Sequence, residues 1–198
     1  YRRALHLFSA LRYPVGRARA LNNLGVLALN RDDFREALAD LGAARELWHG
    51  LAKRGEEAKT LQNLGMVYNR AADYPQAVRM HEQEIELLRD SADGAQKAAA
   101  LVQLANDLLA ADEPRVALGY YLRVGRAQKS GALAATAYSG IGLCYRRLGD
   151  HGAAIDWYRR ALQLLEKTGD KRALGTVWLN LGATYGRMGQ PETANECY

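Results

Sequence analysis

The sequence predicts an all-α protein, a right-handed α-solenoid of helix-turn-helix repeats, on three observations. The first is composition: 34 Ala and 30 Leu stand against 8 Val and 3 Ile in 198 residues, and Ala and Leu favour helices where β-branched residues favour strands. The second is an internal period. Leu21-Asn22-Asn23-Leu24-Gly25 returns as Leu61-Gln62-Asn63-Leu64-Gly65, then as Leu101-Val102-Gln103-Leu104-Ala105. It returns again as Tyr138-Ser139-Gly140-Ile141-Gly142 and as Trp178-Leu179-Asn180-Leu181-Gly182, in steps of 40, 40, 37 and 40. The third is a separate mark, Ala37, Ala77, Ala117, Ala154 and Ala194, which keeps the same steps, including the short one. A period of this size belongs to stacked supersecondary units.

In chain order the period predicts half a unit over 1–13, then units over about 14–53, 54–93, 94–130 and 131–170, and a shortened one over 171–198. Each unit reads as two helices. In the fourth, Tyr138, Ile141, Gly142 and Tyr145 fall at i, i+3, i+4 and i+7, one helix face. Gly149-Asp150 breaks the pattern and places Asp150 to cap a second helix, whose apolar face is Ala154, Tyr158, Ala161 and Leu165. Equivalent breaks fall at Asp32-Asp33, at Asp73 before Pro75, at Asp112-Glu113 before Pro114, and at Gly189-Gln190 before Pro191. Proline suits a first helical turn, where its missing N–H has no intrahelical partner. The fourth proline, Pro14, is placed in a connection between units. Glycine inside a helix costs about 1 kcal/mol relative to alanine, so Gly25, Gly65, Gly142 and Gly182 need an offsetting gain. Close packing of the two helices of a unit supplies one.

Several chemistries are argued against. No apolar run approaches the ~20 residues of a membrane span, and Cys144 and Cys197 are too few for a disulfide framework, which suits a reducing, cytoplasmic compartment. His6, His49, His81 and His151 stand apart without metal-ligand spacing, so neither metal nor cofactor is expected. Cys144 and His151 make a poor nucleophile and base, with Cys144 inside a first helix and His151 beyond the break. Lys129-Ser130 echoes a phosphate loop, but Gln128 stands where that motif needs glycine and the pair reads as closing a helix. The chain therefore reads as non-catalytic. The excess of 27 Lys and Arg over 22 Asp and Glu is modest. Read as spread over every unit with the signs alternating, it argues against nucleic acid as the main partner.

The repeat resembles the tetratricopeptide repeat: a large residue, Leu, Gly and an aromatic on the first helix, then Ala, aromatic, Ala on the second. The fourth unit supplies Tyr138, Ile141, Gly142, Tyr145, Ala154, Tyr158 and Ala161. The fifth supplies Trp178, Leu181, Gly182, Tyr185, Ala194 and Tyr198. The third departs most, with Ala105 for Gly and Leu108 for the aromatic. The 40-residue step is similar to the longer subclass of kinesin light chains, Pins/LGN polarity adaptors and bacterial regulators, and the preponderance of Arg over Lys fits a bacterial source. Tyr1-Arg2-Arg3-Ala4-Leu5 matches Tyr158-Arg159-Arg160-Ala161-Leu162, so the expectation is a piece of a longer protein.

The resemblance implies a protein-interaction scaffold whose first helices line a concave groove for a peptide or partner domain. Counting from the repeated Gly or Ala, the family's contact positions fall on Arg19, Asn22, Asn23, Lys59, Gln62, Asn63, Asn69, Arg70, Gln103, Arg146, Arg147, Asn180 and Arg187. Amides carry both donor and acceptor and suit a peptide backbone. Arginine grips carboxylates bidentately, so the expected partner is an acidic segment of another protein, or a neighbouring domain of the same chain. Two further expectations are a sensor array that controls a linked NTPase or protease domain, and self-association through the terminal helices. Alternatively, the amides satisfy inter-repeat backbone groups and the arginines are solvated.

Overall fold

The computed structural model describes all 198 residues, and every regular element in it is an α-helix. In order these are α1 (Arg2–Ala10), α2 (Pro14–Leu29), α3 (Phe34–Gly50), α4 (Arg54–Arg70), α5 (Tyr74–Leu87), α6 (Gly94–Ala110), α7 (Pro114–Ala127), α8 (Gly131–Arg147), α9 (His151–Thr168), α10 (Lys171–Arg187) and α11 (Pro191–Cys197). They fall into two compact units, Tyr1–Ala100 and Leu101–Tyr198, with the border inside α6. Consecutive helices pack in pairs within each unit, α2 on α3 and α4 on α5 in the first, α8 on α9 and α10 on α11 in the second. No helix is long and apolar enough to cross a membrane.

Helix starts follow the local chemistry. Asp33, Asp73, Asp150 and Asp170 each accept a hydrogen bond from the backbone N–H three residues on, at 3.0, 3.3, 2.9 and 3.0 Å, an N-cap worth about 1 kcal/mol. Two expectations are corrected here. Pro14 is the first residue of α2 rather than part of a connection, so all four prolines occupy a first helical turn. Lys129-Ser130 closes no helix: α7 ends at Ala127, and Ser130 is the residue before α8.

The repeated glycines are where the paired helices touch. A Cβ on Gly25 would lie 2.5 Å from Leu41, on Gly65 2.5 Å from the His81 ring, on Gly142 2.7 Å from the Tyr158 ring, and on Gly182 2.8 Å from the Tyr198 ring. Each of these partners stands four residues after a repeated Ala, and Ala37, Ala77 and Ala154 are fully buried beside them. The third unit solves the problem differently. Ala105 replaces the glycine, and the corresponding Tyr121 lays its ring over Gly140 of α8 instead, where a Cβ would lie 2.4 Å away. Around these contacts collect the apolar clusters, such as Ala28, Leu29, Leu41, Leu61, Leu64 and Val67 in the first unit and Ile155, Leu162, Leu165, Val177, Leu181 and Tyr185 in the second.

The turn inside each helix pair is a Schellman-type closure. Asp33 N–H reaches back to the Ala28 carbonyl at 3.0 Å, and the equivalent bonds at Asp73, Glu113, Asp150 and Gln190 measure 2.9, 2.8, 3.0 and 3.1 Å. The residue before each of these is left-handed: Asp32 (φ 60°), Ala72 (φ 59°), Asp112 (φ 62°), Gly149 (φ 87°) and Gly189 (φ 73°). That conformation costs a residue with a Cβ about 1–2 kcal/mol. Asp32 and Asp112 recover part of it through ion pairs described below, whereas the Ala72 methyl has no such compensation. Ala72→Gly is therefore expected to stabilise the chain by roughly 0.5–1 kcal/mol. A higher midpoint in urea unfolding checks this, and an unchanged or lower midpoint contradicts it.

Candidate functional site

The first unit brings four of the sequence-predicted residues to one place. Arg19, Asn22 and Asn23 of α2 and Lys59 of α4 line a cleft of about 190 Å³ together with Trp48, Glu56 and Thr60. The amide row is knitted across the repeats. Asn22 Oδ1 accepts from Asn63 Nδ2 at 3.2 Å, and the Thr60 hydroxyl lies within reach of both Asn22 Oδ1 (3.2 Å) and the Glu56 carbonyl (2.9 Å). Its single hydrogen serves one acceptor at a time. This arrangement occupies the acceptor of Asn22 and one donor of Asn63, so the pair still presents the Asn22 NH2 group and the Asn63 oxygen, a donor beside an acceptor. Asn23 and Gln62 are half-buried on the same helices. Lys59 is largely exposed and loosely paired with Glu56 at 3.6 Å.

Other predicted residues are engaged elsewhere. The Arg70 guanidinium donates to the Leu29 carbonyl at 2.8 Å and pairs with Asp32, while Arg147 pairs with Asp112 at 3.1 Å. Both arginines stand five residues after the repeated glycine, and both aspartates are the left-handed residue of the preceding turn. The same bridge therefore ties one helix pair to the next in each unit. Exposed pairs of this kind contribute about 0–1 kcal/mol; the carbonyl contact adds geometric definition at Arg70. Arg187 holds the equivalent place, but Gly149 stands where its aspartate would be, and Arg187 is exposed without an ion pair. Arg146 is half-buried beside Tyr158: burial pushes the Tyr158 phenol up, and the Arg146 guanidinium partly counters it. Asn69 and Gln103 are half-buried on α4 and α6.

In the second unit a cavity of about 330 Å³ is lined by Asn106, Tyr121, Thr136, Ser139, Leu143, Asp170, Arg172, Thr176 and Asn180, among others. Of the sequence-predicted residues, Asn180 alone lines it. Thr136, Ser139 and Thr176 stand at the same repeat offsets as cationic or amide residues in the first unit, and that offset is the signal by which they can be found. Tyr121 is fixed by donating its hydroxyl to Asn106 Oδ1 at 2.5 Å, and burial holds its phenol well above the usual tyrosine range. The walls are mainly apolar, and the polar part of the lining comprises hydroxyls, amides and the charged Asp170 and Arg172. A further cleft of about 480 Å³ in the first unit, lined by Arg45, Glu46, His49, Tyr68 and Met80, contains none of the predicted residues.

Known proteins share both the repeat and the fold. A family model described as tetratricopeptide repeat matches residues 16–90 and 133–198. Among solved structures, BtubC (BKLC) from P. vanneervenii superposes with a TM-score of 0.81 at 21% identity, covering 98% of this chain and 84% of that one. A putative kinesin light chain with nearly identical TPR-like repeats from Podosopora anserina gives 0.75 at 15% identity over 91% of both chains. A Rap protein complexed with Competence and Sporulation Factor gives 0.72 at 20% identity over 88% of this chain, which spans 50% of that one. At these identities the likeness is one of fold.

Burial also bears on the nucleophile question. Cys144 is wholly buried in α8, and its thiol is pushed up to about 12, chiefly by that burial. Such a thiol is almost entirely protonated at pH 8, and only the thiolate attacks. With dithiobis-nitrobenzoate at pH 8, the folded chain is expected to react at Cys197 and to protect Cys144 until denaturant is added. Equal rates at both thiols would contradict this placement.

Proposed function

Because the chain belongs to the tetratricopeptide repeat family, we propose that it is a non-catalytic protein-interaction scaffold that holds an extended acidic peptide along its first helices. The observation that carries this reading is the cross-repeat amide pair. Asn22 and Asn63 fix one another at 3.2 Å and still offer a donor and an acceptor side by side, the complement of a peptide unit. Arg19 and Lys59 flank that pair in the same cleft and supply the cations for carboxylate side chains. In the second unit, Asn180 with Thr136, Ser139 and Thr176 forms the corresponding polar rim around an apolar floor, suited to an apolar side chain of the same class of ligand. The Rap protein solved with Competence and Sporulation Factor makes ligand binding by this architecture a reasonable model.

The test is selection of random twelve-residue peptides on the 198-residue chain, followed by anisotropy titration of the enriched sequences. Enrichment in Asp and Glu is expected, with affinity falling at least tenfold in Arg19→Glu/Lys59→Glu. Loss of one neutral hydrogen bond is worth about 1 kcal/mol, so Asn22→Ala and Asn63→Ala should each weaken binding roughly fivefold. Enrichment without acidic residues, or affinities unmoved by all of these substitutions, would overturn the reading.

A further inference from the structure

The positive charge is not spread over every unit, which corrects the expectation from the alternation of signs. Residues 114–149, covering α7 and α8, carry Arg115, Arg123, Arg126, Lys129, Arg146 and Arg147 and no Asp or Glu. Residues 1–31 likewise carry six arginines and no acid, and the other 131 residues hold 15 cations and 22 acids. The excess therefore sits in two acid-free stretches, α1–α2 and α7–α8, set against an acidic remainder. Arg147 is committed to Asp112, and Arg146 is half-buried beside Tyr158. On α7, Arg115, Arg123 and Arg126 recur at i, i+8 and i+11, which puts them on one helix face. All three are exposed and none forms an ion pair, and exposed Lys129 follows just beyond the helix.

Aromatic rings are interleaved with these cations at repeat-equivalent places. The Arg123 guanidinium lies 5.6 Å over the Tyr120 ring on α7, and the Arg160 guanidinium lies 4.6 Å over the Trp157 ring on α9. Tyr120 and Trp157 each stand three residues after the repeated Ala, and Arg123 and Arg160 each six after it. Tyr138 of α8 packs against both α7 and α9. Its ring centroid is 5.2 Å from that of Trp157, and its edge fills the space left by Gly125 of α7, where a Cβ would lie 3.0 Å away. In the first unit the corresponding pairs are Asp40 with Ala43 and Met80 with Gln83, so the feature belongs to the second unit alone.

We propose that this face of α7 and α9 binds single-stranded nucleic acid. The α7 arginines, spanning ~16 Å of helix, neutralise successive phosphates. The arginine-covered rings of Tyr120 and Trp157 provide flat, cationic platforms for bases. An acidic peptide fits less well: α7 carries no Asn or Gln to read a backbone, whereas the first helices concentrate the amides. The surface is separate from the peptide cleft, so the two readings stand or fall independently.

Anisotropy of a labelled twenty-nucleotide oligo(U) RNA with the 198-residue chain tests it. Three phosphate contacts on a single strand predict roughly a 20-fold loss of affinity between 50 and 200 mM salt. Arg123→Glu/Arg126→Glu/Arg160→Glu, or the Gln versions should charge reversal disturb folding as judged by circular dichroism, should weaken binding at least tenfold. Arg19→Glu/Lys59→Glu, in the peptide cleft, should change it less than twofold. Absence of binding at 50 mM salt, equal binding by a correctly folded triple variant, or competition by polyglutamate as effective as unlabelled oligo(U) would each overturn the proposal, the last in favour of an acidic protein partner.

Discussion

Two helices can share a buried seam only where one of them gives up a side chain, and the rest of this molecule is arranged around four such concessions. Gly25, Gly65, Gly142 and Gly182 each receive a side chain from the partner helix, at distances that leave no room for a methyl group. Among the gains is complete burial of Leu41 and Tyr158, and burying a large apolar side chain is worth about 1.5–3 kcal/mol. That exceeds the helix cost of glycine. The third unit shows the same requirement met by another route, with Tyr121 turned to Gly140 of the following helix and its hydroxyl tied to Asn106.

This seam decides what is left for binding. The inward faces of the second helices are consumed in the helix pairs, so the amides of α2 and α4 and the polar rim of α8 and α10 remain on the first helices. The outward faces of α7 and α9 remain for charge. Electrostatics then sorts the cations by role. Arginines opposite a turn aspartate, Arg70 and Arg147, are ties between neighbouring pairs. Arginines that form no ion pair, on α7, are available to a partner.

Much of the fold was legible because its period is written in residue types with one physical reason each: small residues for close approach, aspartates and prolines for helix starts. Pro14 misled because a first-turn proline and a connecting proline look alike without the helix that follows. The meeting of Arg19, Asn22, Asn23 and Lys59 in one cleft was legible as well, from their shared offsets to the repeated glycine. The engagement of Arg70 was not, because its aspartate lies 38 residues away. A signal existed nonetheless: Arg147 and Asp112 are 35 apart, the same offset shortened by the three residues missing from that step. The α7 cluster was hidden by a whole-chain sum, in which two acid-free stretches, residues 1–31 and 114–149, are cancelled by an acidic remainder.

The most direct measurement is a double-mutant cycle at Gly25 and Leu41, read as unfolding free energies in urea. Gly25→Ala alone should destabilise by roughly 1–3 kcal/mol through overpacking against Leu41, and Leu41→Ala alone by roughly 2–5 kcal/mol through the cavity it leaves. In the double variant the new methyl occupies space the leucine has vacated. A shared seam predicts a combined loss smaller than the sum by at least about 1 kcal/mol. Losses that add to within about 0.5 kcal/mol would show that the two positions do not meet, and that the glycines are not what lets the helices pair.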